Sequence, residues 1–155
     1  MSKAQIGKIA PNFKLPATGD KDVEIKSLRG KNVVLYFYPK DNTPGCTTEG
    51  QDFGTSYVKF KRKNTVVLGI SRDTVASHEK FREKFNFPFD LLADTDEKAC
   101  KLYDVIKEKN MYGRKHMGIV RSTFLIDATG KLQREWIKVK VKGHVDEVLE
   151  AVNSL

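Results

Sequence analysis

Two cysteines stand in this chain of 155 residues, and one of them has neighbours suited to covalent chemistry. Cys46 closes the run Tyr38-Pro39-Lys40-Asp41-Asn42-Thr43-Pro44-Gly45-Cys46, after the apolar stretch Val33-Val34-Leu35-Tyr36-Phe37 and before a segment with helical spacing. Thr43 is a good N-cap, and Pro44 suits the first helical position, where its missing N–H costs nothing. Cys46 then falls in the first helical turn, where unpaired N–H groups and the positive end of the helix dipole favour a thiolate over a thiol. A buried structural cysteine is the plain alternative. Pro44 and Gly45, on a polar turn, make this a poor core position, so Cys46 is expected to be a nucleophile.

The elements that must position it follow from hydrophobic period. Lys31–Tyr38 is nearly continuously apolar, as in a strand buried on both faces of a parallel sheet. Phe53, Tyr57 and Phe60 then recur at i, i+4, i+7, which predicts one helix running on from Cys46. Gly50 and Gly54 lie inside it and should make that part easier to unwind. Strands are predicted at Thr65–Ile70, Phe89–Leu92 and Ser122–Asp127, with a hairpin turn at 128–131 and a returning strand from Leu132 to Val141. Helices are predicted from about Thr74 to Phe85, from Asp94 to Ile106, and over the amphipathic C-terminal segment carrying Val145, Val148, Leu149 and Val152. Lys107–Gly118, dense in Lys, Asn, Gly and Met, reads as a loop. This order predicts an α/β fold, one domain over residues 1–155 with a mixed central sheet flanked by helices.

Composition bounds the function classes. Apolar residues make up 39% and charged residues 31%, ordinary for a soluble globular chain. No apolar run reaches signal-peptide or membrane-spanning length, so a cytoplasmic protein without a membrane partner is expected. Two cysteines do not make a secreted disulfide framework. The net charge of +8 is spread along the chain without an aromatic-plus-basic recognition motif, so no nucleic-acid partner is expected. His78, His116, His144 and the two cysteines show no ligand spacing, and neither a metal nor another cofactor is expected. His78 reads as a packing or surface residue.

Pro39-x-x-x-Thr43-x-x-Cys46 resembles the active-site signature of the peroxiredoxins. The surrounding residues, Phe37 to Glu49, are similar to the Q-type branch, the bacterioferritin comigratory protein group. Ser71-Arg72-Asp73, the 111–119 segment, Arg121-Ser122-Thr123-Phe124-Leu125-Ile126-Asp127 and the 139–144 segment extend the similarity over essentially the whole chain. The resemblance implies a thioredoxin-like fold and a thiol-dependent peroxidase acting on hydrogen peroxide and organic hydroperoxides. It implies that the Cys46 thiolate becomes a sulfenic acid, that Thr43 supplies a hydroxyl near the sulfur, and that Pro39 shields it. Arg121 would lie against Cys46 as an adjacent positive charge, and Glu49 would orient Arg121. Tyr38 lines the pocket or packs in the core.

One departure bears on the cycle. Many Q-type members carry a resolving cysteine five residues after the first, and others carry one on the next helix; this chain has Gln51 at the first position and no cysteine near Arg82 at the second. A one-cysteine cycle is therefore expected, with the sulfenic acid reduced by thioredoxin, glutaredoxin or a small thiol. The alternative cycle is a Cys46–Cys100 disulfide, which needs the two Cα atoms within about 7 Å. A peroxide-sensing thiol switch or chaperone-like binding protein shares the same reactive residue and is the rival function. The resemblance implies a monomer, with a homodimer as the alternative.

Overall fold

The structure, a computed structural model, describes residues 3–155 and, at Met111, the backbone alone. Its axis is the apolar stretch ahead of Cys46, which forms strand β3 (Asn32–Phe37). β3 pairs in parallel with β4 (Thr65–Ser71) and antiparallel with β8 (Ser122–Ile126). Successive side chains of a strand point to opposite faces, so its apolar run supplies two cores. Val33, Leu35 and Phe37 enter one with Phe13, Ile70, Tyr103 and Phe124; Val34, Tyr36 and Tyr38 enter the other with Phe53, Phe60, Phe81 and Val148.

The remaining strands widen this centre into a seven-stranded mixed sheet of order β2-β1-β5-β4-β3-β8-β9. They are β1 (Lys14–Ala17), β2 (Lys21–Glu24), β5 (Asp90–Ala93) and β9 (Leu132–Ile137). Helices α1 (Pro44–Thr55), α2 (Tyr57–Arg62), α3 (Val75–Phe85) and α5 (His144–Asn153) bury residues in the core that holds Tyr36. The short α4 (Lys98–Leu102) covers the opposite face. Phe53 and Phe60 are both fully buried, each contributing about 1.5–3 kcal/mol by leaving water. No helix among the described residues is long and apolar enough to cross a membrane.

Four local expectations are corrected. The helix expected from Cys46 through Phe60 is broken at Ser56, so its stripe is shared between α1 and α2. The helix expected over Asp94–Ile106 shrinks to Lys98–Leu102, since Glu97 and Asp104 on either side adopt left-handed φ of 61° and 55°. The buried Asp94 carboxylate accepts from the Cys100 N–H at 2.7 Å, which fixes that short turn. Lys107–Gly118 is not a loop but most of a hairpin, β6 (Ile106–Met111) and β7 (Arg114–Ile119), closed by Tyr112 and Gly113 at φ 53° and 77°. Two positive-φ residues match the twist of a two-residue hairpin turn. Finally, β9 ends at Ile137 rather than Val141, because Lys138 turns left-handed at φ 56°.

Gly50 owes its place to packing. A Cβ there would meet the Phe87 ring at 2.5 Å, so this glycine lets α1 approach the aromatic cluster below α3.

Candidate active site

Strand β3 ends at Phe37, and the chain turns over Pro39–Thr43 into α1. Asn42 takes a left-handed φ of 59° in that turn, and Thr43 occupies the N-cap in extended geometry. The first helical bond runs from Thr47 N–H to Thr43 C=O at 2.8 Å. The N–H groups of Gly45 and Cys46 precede it and lie at the positive end of the helix. Thr43 is the N-cap expected from sequence, but it does not cap through its side chain: its hydroxyl donates instead to Lys40 C=O at 2.8 Å. With its hydrogen engaged there, the Thr43 oxygen is left to accept a hydrogen bond from a bound molecule.

Cys46 is the third residue of α1 and only 2% exposed. The expectation that it avoids the core is therefore corrected: the side chain packs in the Tyr36 core while its backbone sits on the polar turn. Arg121 comes to it from the residue before β8, 75 positions along the chain, with Nη2 3.5 Å from Sγ. Its other terminal nitrogen, Nη1, donates to Glu49 Oε1 at 2.7 Å. One guanidinium thus links the sulfur to a carboxylate one turn further along α1. Gly45 makes room for it, since a Cβ there would lie 3.0 Å from Nη2.

Glu49 is fully buried, and its second oxygen, Oε2, has no partner among the described residues. Burial opposes its charge more than Arg121 favours it, and the carboxyl is pushed up to about 7. The fold therefore binds this proton more tightly than the unfolded chain does. Its stabilisation is complete below the ordinary value of 4.5 and is lost as pH rises toward 7. His144, lowered to about 4 by burial with a contribution from Arg121, works in the opposite sense: its stabilisation holds above 6.5 and is lost as pH falls toward 4. Glu49→Gln is neutral throughout and isolates the first effect. Denaturant unfolding of wild type and E49Q should show their stability difference moving against wild type as pH rises from 4.5 to 7; parallel pH curves would contradict it.

Pro39 and Arg121 border a cleft of about 730 Å³, whose walls also include Lys109 of β6, Val120, and Ile137 and Val139 near the end of β9. Thr43, Cys46 and Glu49 thus stand along the start of α1, Arg121 is joined to the last two, and Arg121 and Pro39 share the cleft. Tyr38 is fully buried and belongs to the core. Cys100 is equally buried but packs in the Phe13 core, on the other side of the sheet from Cys46. Burial and the nearby Asp94 raise its thiol well above the ordinary range.

Sequence reasoning missed a network beneath the turn. Asp41 Oδ1 accepts from Tyr38 OH at 2.6 Å; its Oδ2 accepts from Ser77 at 2.8 Å and faces His78 Nδ1 at 2.7 Å. His78 Nε2 faces Leu92 C=O at 2.8 Å, and Asp41 N–H donates to Asp73 at 2.8 Å. His78 is fully buried, so a surface role is excluded. Its only sequence signal was its position on the apolar side of α3. Ligand-type atoms of Asp41, Asp73 and His78 lie within 4.8 Å of one another, a clustering invisible in chain spacing.

The AhpC/TSA family model matches residues 6–135. The chain is 47% identical to "Peroxiredoxin Bcp" of Bacillus subtilis over 151 residues, 97% of this chain and 96% of the relative. It belongs to the AhpC/TSA family, in the Q-type (Bcp) peroxiredoxin branch. A solved Xylella fastidiosa PrxQ cysteine-to-serine mutant superposes with a TM-score of 0.93 at 43% identity, over 99% of this chain and 98% of that one. The Xanthomonas campestris bacterioferritin comigratory protein, whose trapped complexes concern alkyl peroxide reduction, aligns with a TM-score of 0.88 at 46% identity, over 92% and 90% of the two chains. The fold is thioredoxin-like, and this peroxiredoxin is a thiol-dependent peroxidase: its substrate is a peroxide and its reductant a thiol.

Proposed function

We propose that Cys46 is the nucleophile and that the peroxidase runs a one-cysteine cycle on hydrogen peroxide and organic hydroperoxides. The observation that carries this is the Arg121 guanidinium held between Cys46 Sγ, at 3.5 Å, and the buried Glu49, at 2.7 Å. The Cys46 thiolate attacks the terminal oxygen of ROOH, and the O–O bond breaks. Sulfur is oxidised to the sulfenic acid, while the other oxygen leaves as alkoxide or hydroxide and takes up a proton. Negative charge moves from sulfur along the line of attack. Arg121 and the N–H groups of Gly45 and Cys46 favour that movement when they hold the departing charge better than the starting one. Thr43 accepts a hydrogen bond from the bound peroxide, Pro39 keeps water off the sulfur, and Glu49 aims Arg121.

The second half-reaction falls to an external thiol: thioredoxin, glutaredoxin or a small thiol. The position of Cys100 across the sheet supports this, because bonding it to Cys46 would demand more than unwinding α1. The alkyl peroxide activity of the Xanthomonas campestris relative and the apolar Val120, Ile137 and Val139 of the cleft support organic substrates. A seven-stranded sheet that takes strands from both ends of the chain, β1 and β2 at one edge and β9 at the other, supports a single domain.

Steady-state consumption of hydrogen peroxide and cumene hydroperoxide with each candidate reductant tests the reading. Multiple turnovers per Cys46 are expected. A single stoichiometric oxidation with every reductant would contradict it and favour a thiol switch.

A further inference from the structure

The peroxide step described above leaves a strongly basic alkoxide or hydroxide beside Arg121, and a proton must come from somewhere. The site residues themselves are poor sources. Arg121 does not release a proton, Thr43 has its hydrogen on Lys40 C=O, and Tyr38 OH donates to Asp41. Glu49, His78 and His144 are buried, and none lines the cleft. Lys109 remains. It lies on β6 opposite His116 of β7, and its side chain runs across Gly118, where a Cβ would meet Lys109 Cδ at 3.2 Å. From there it lines the same cleft as Arg121 and Pro39.

We propose that Lys109 is the general acid of the peroxidase reaction, donating its ammonium proton to the leaving oxygen; this rests on Cys46 being the nucleophile. The Cys46 thiolate bonds to the terminal oxygen of ROOH as the O–O bond breaks. RO⁻ takes a proton from Lys109 Nζ, giving ROH and a neutral amine, which is reprotonated by water. No other reactant is needed.

Charge pairing singles out this lysine. Lys107 pairs with Asp104 at 3.1 Å, Glu108 with Lys115 at 3.6 Å, Arg72 with Glu97 at 2.9 Å, and Arg121 with Glu49. Among the described residues, Lys109 has no carboxylate within 4.0 Å. Lys138 also lacks one, but it sits exposed on the turn that ends β9, whereas Lys109 is partly buried. The groups acting on Lys109 are Arg121 from just before β8, Arg72 from the segment after β4 and Cys46 from α1; Lys107 and Glu108 neighbour it on β6, His116 pairs with it across the hairpin, and Lys138 lines the same cleft. Burial and then the repulsion of Arg121 and Arg72 lower its ammonium below the ordinary lysine range, against a smaller opposing pull from Cys46. A lysine so placed surrenders a proton more readily than a free one.

The test is a comparison of leaving groups. Stopped-flow oxidation of Cys46 is measured with tert-butyl hydroperoxide, which expels a strongly basic alkoxide, and with peracetic acid, which expels acetate and needs no proton donor. Wild type, Lys109→Gln and Lys109→Arg are compared. The ratio of the peracetic acid rate to the tert-butyl hydroperoxide rate should rise about a hundredfold in both variants, the size of a lost general acid. Arginine preserves the charge but does not release a proton, so it should not rescue. An unchanged ratio, or recovery of the tert-butyl hydroperoxide rate in K109R, overturns the proposal and leaves Cys46 as nucleophile. A wild-type Cys46 inert to both oxidants overturns the parent reading together with it.

Discussion

Replacing Cys46 with serine is expected to abolish peroxide turnover, whereas replacing Cys100 with serine should leave it unchanged. A serine hydroxyl at position 46 stays protonated and is a weak nucleophile, so the O–O bond finds no attacking group. The helix start, the Arg121–Glu49 pair and the cleft remain, so the loss should appear in turnover and not in folding. At position 100 a hydroxyl keeps a neighbour able to accept from it, since Asp94 lies against that side chain. Peroxide consumption with a thiol reductant, measured for both variants, checks the contrast. Equal losses in the two would show that Cys100 belongs to the cycle.

Arg121→Gln should lower kcat/KM for peroxide by about 10²–10³, the range for deleting one fixed donor to a developing charge. It should also destabilise the fold, because the buried Glu49 loses its only close cation among the described residues. Breaking a buried pair costs about 3–5 kcal/mol when the remaining group keeps its charge. Glu49, already near neutrality, can relieve part of that cost by taking up a proton. The double variant carrying Glu49→Gln as well should recover stability but not rate. Arg121→Lys should be intermediate in rate, since one ammonium cannot span Sγ and Oε1 as the planar fork does. Recovery of rate in the double variant would contradict the assignment of Arg121 to the chemistry.

Much of the site was legible because its core is local. Pro39, Thr43 and Cys46 lie within one turn, and the strand before them and the helix after them announce themselves by hydrophobic period. Arg121 is another matter: nothing in spacing places residue 121 at 3.5 Å from residue 46, and only the family resemblance pointed there. The Asp41–His78 contact was missed for the same reason, as it joins a turn to a helix 37 positions away.

The misread elements each have a local physical cause. The β6–β7 hairpin exposes most of its residues, so no alternation of apolar and polar side chains marks it as sheet. Ala99, Leu102, Tyr103 and Ile106 carry a helical period that local backbone geometry overrides. Asp104 turns left-handed, and Ile106 is taken by pairing with Ile119. Thr43 has the composition of a side-chain cap, yet its hydroxyl finds Lys40 C=O instead.

A Cys46 sulfenic acid with no internal partner is detected by intact-mass and peptide mass spectrometry after one equivalent of hydrogen peroxide, with and without a sulfenic-acid trap. A single trapped adduct on Cys46 is expected, equal in wild type and Cys100→Ser. A wild-type protein two hydrogens lighter, with no adduct and no dimer, and an adduct that forms only once Cys100 is removed, would contradict it.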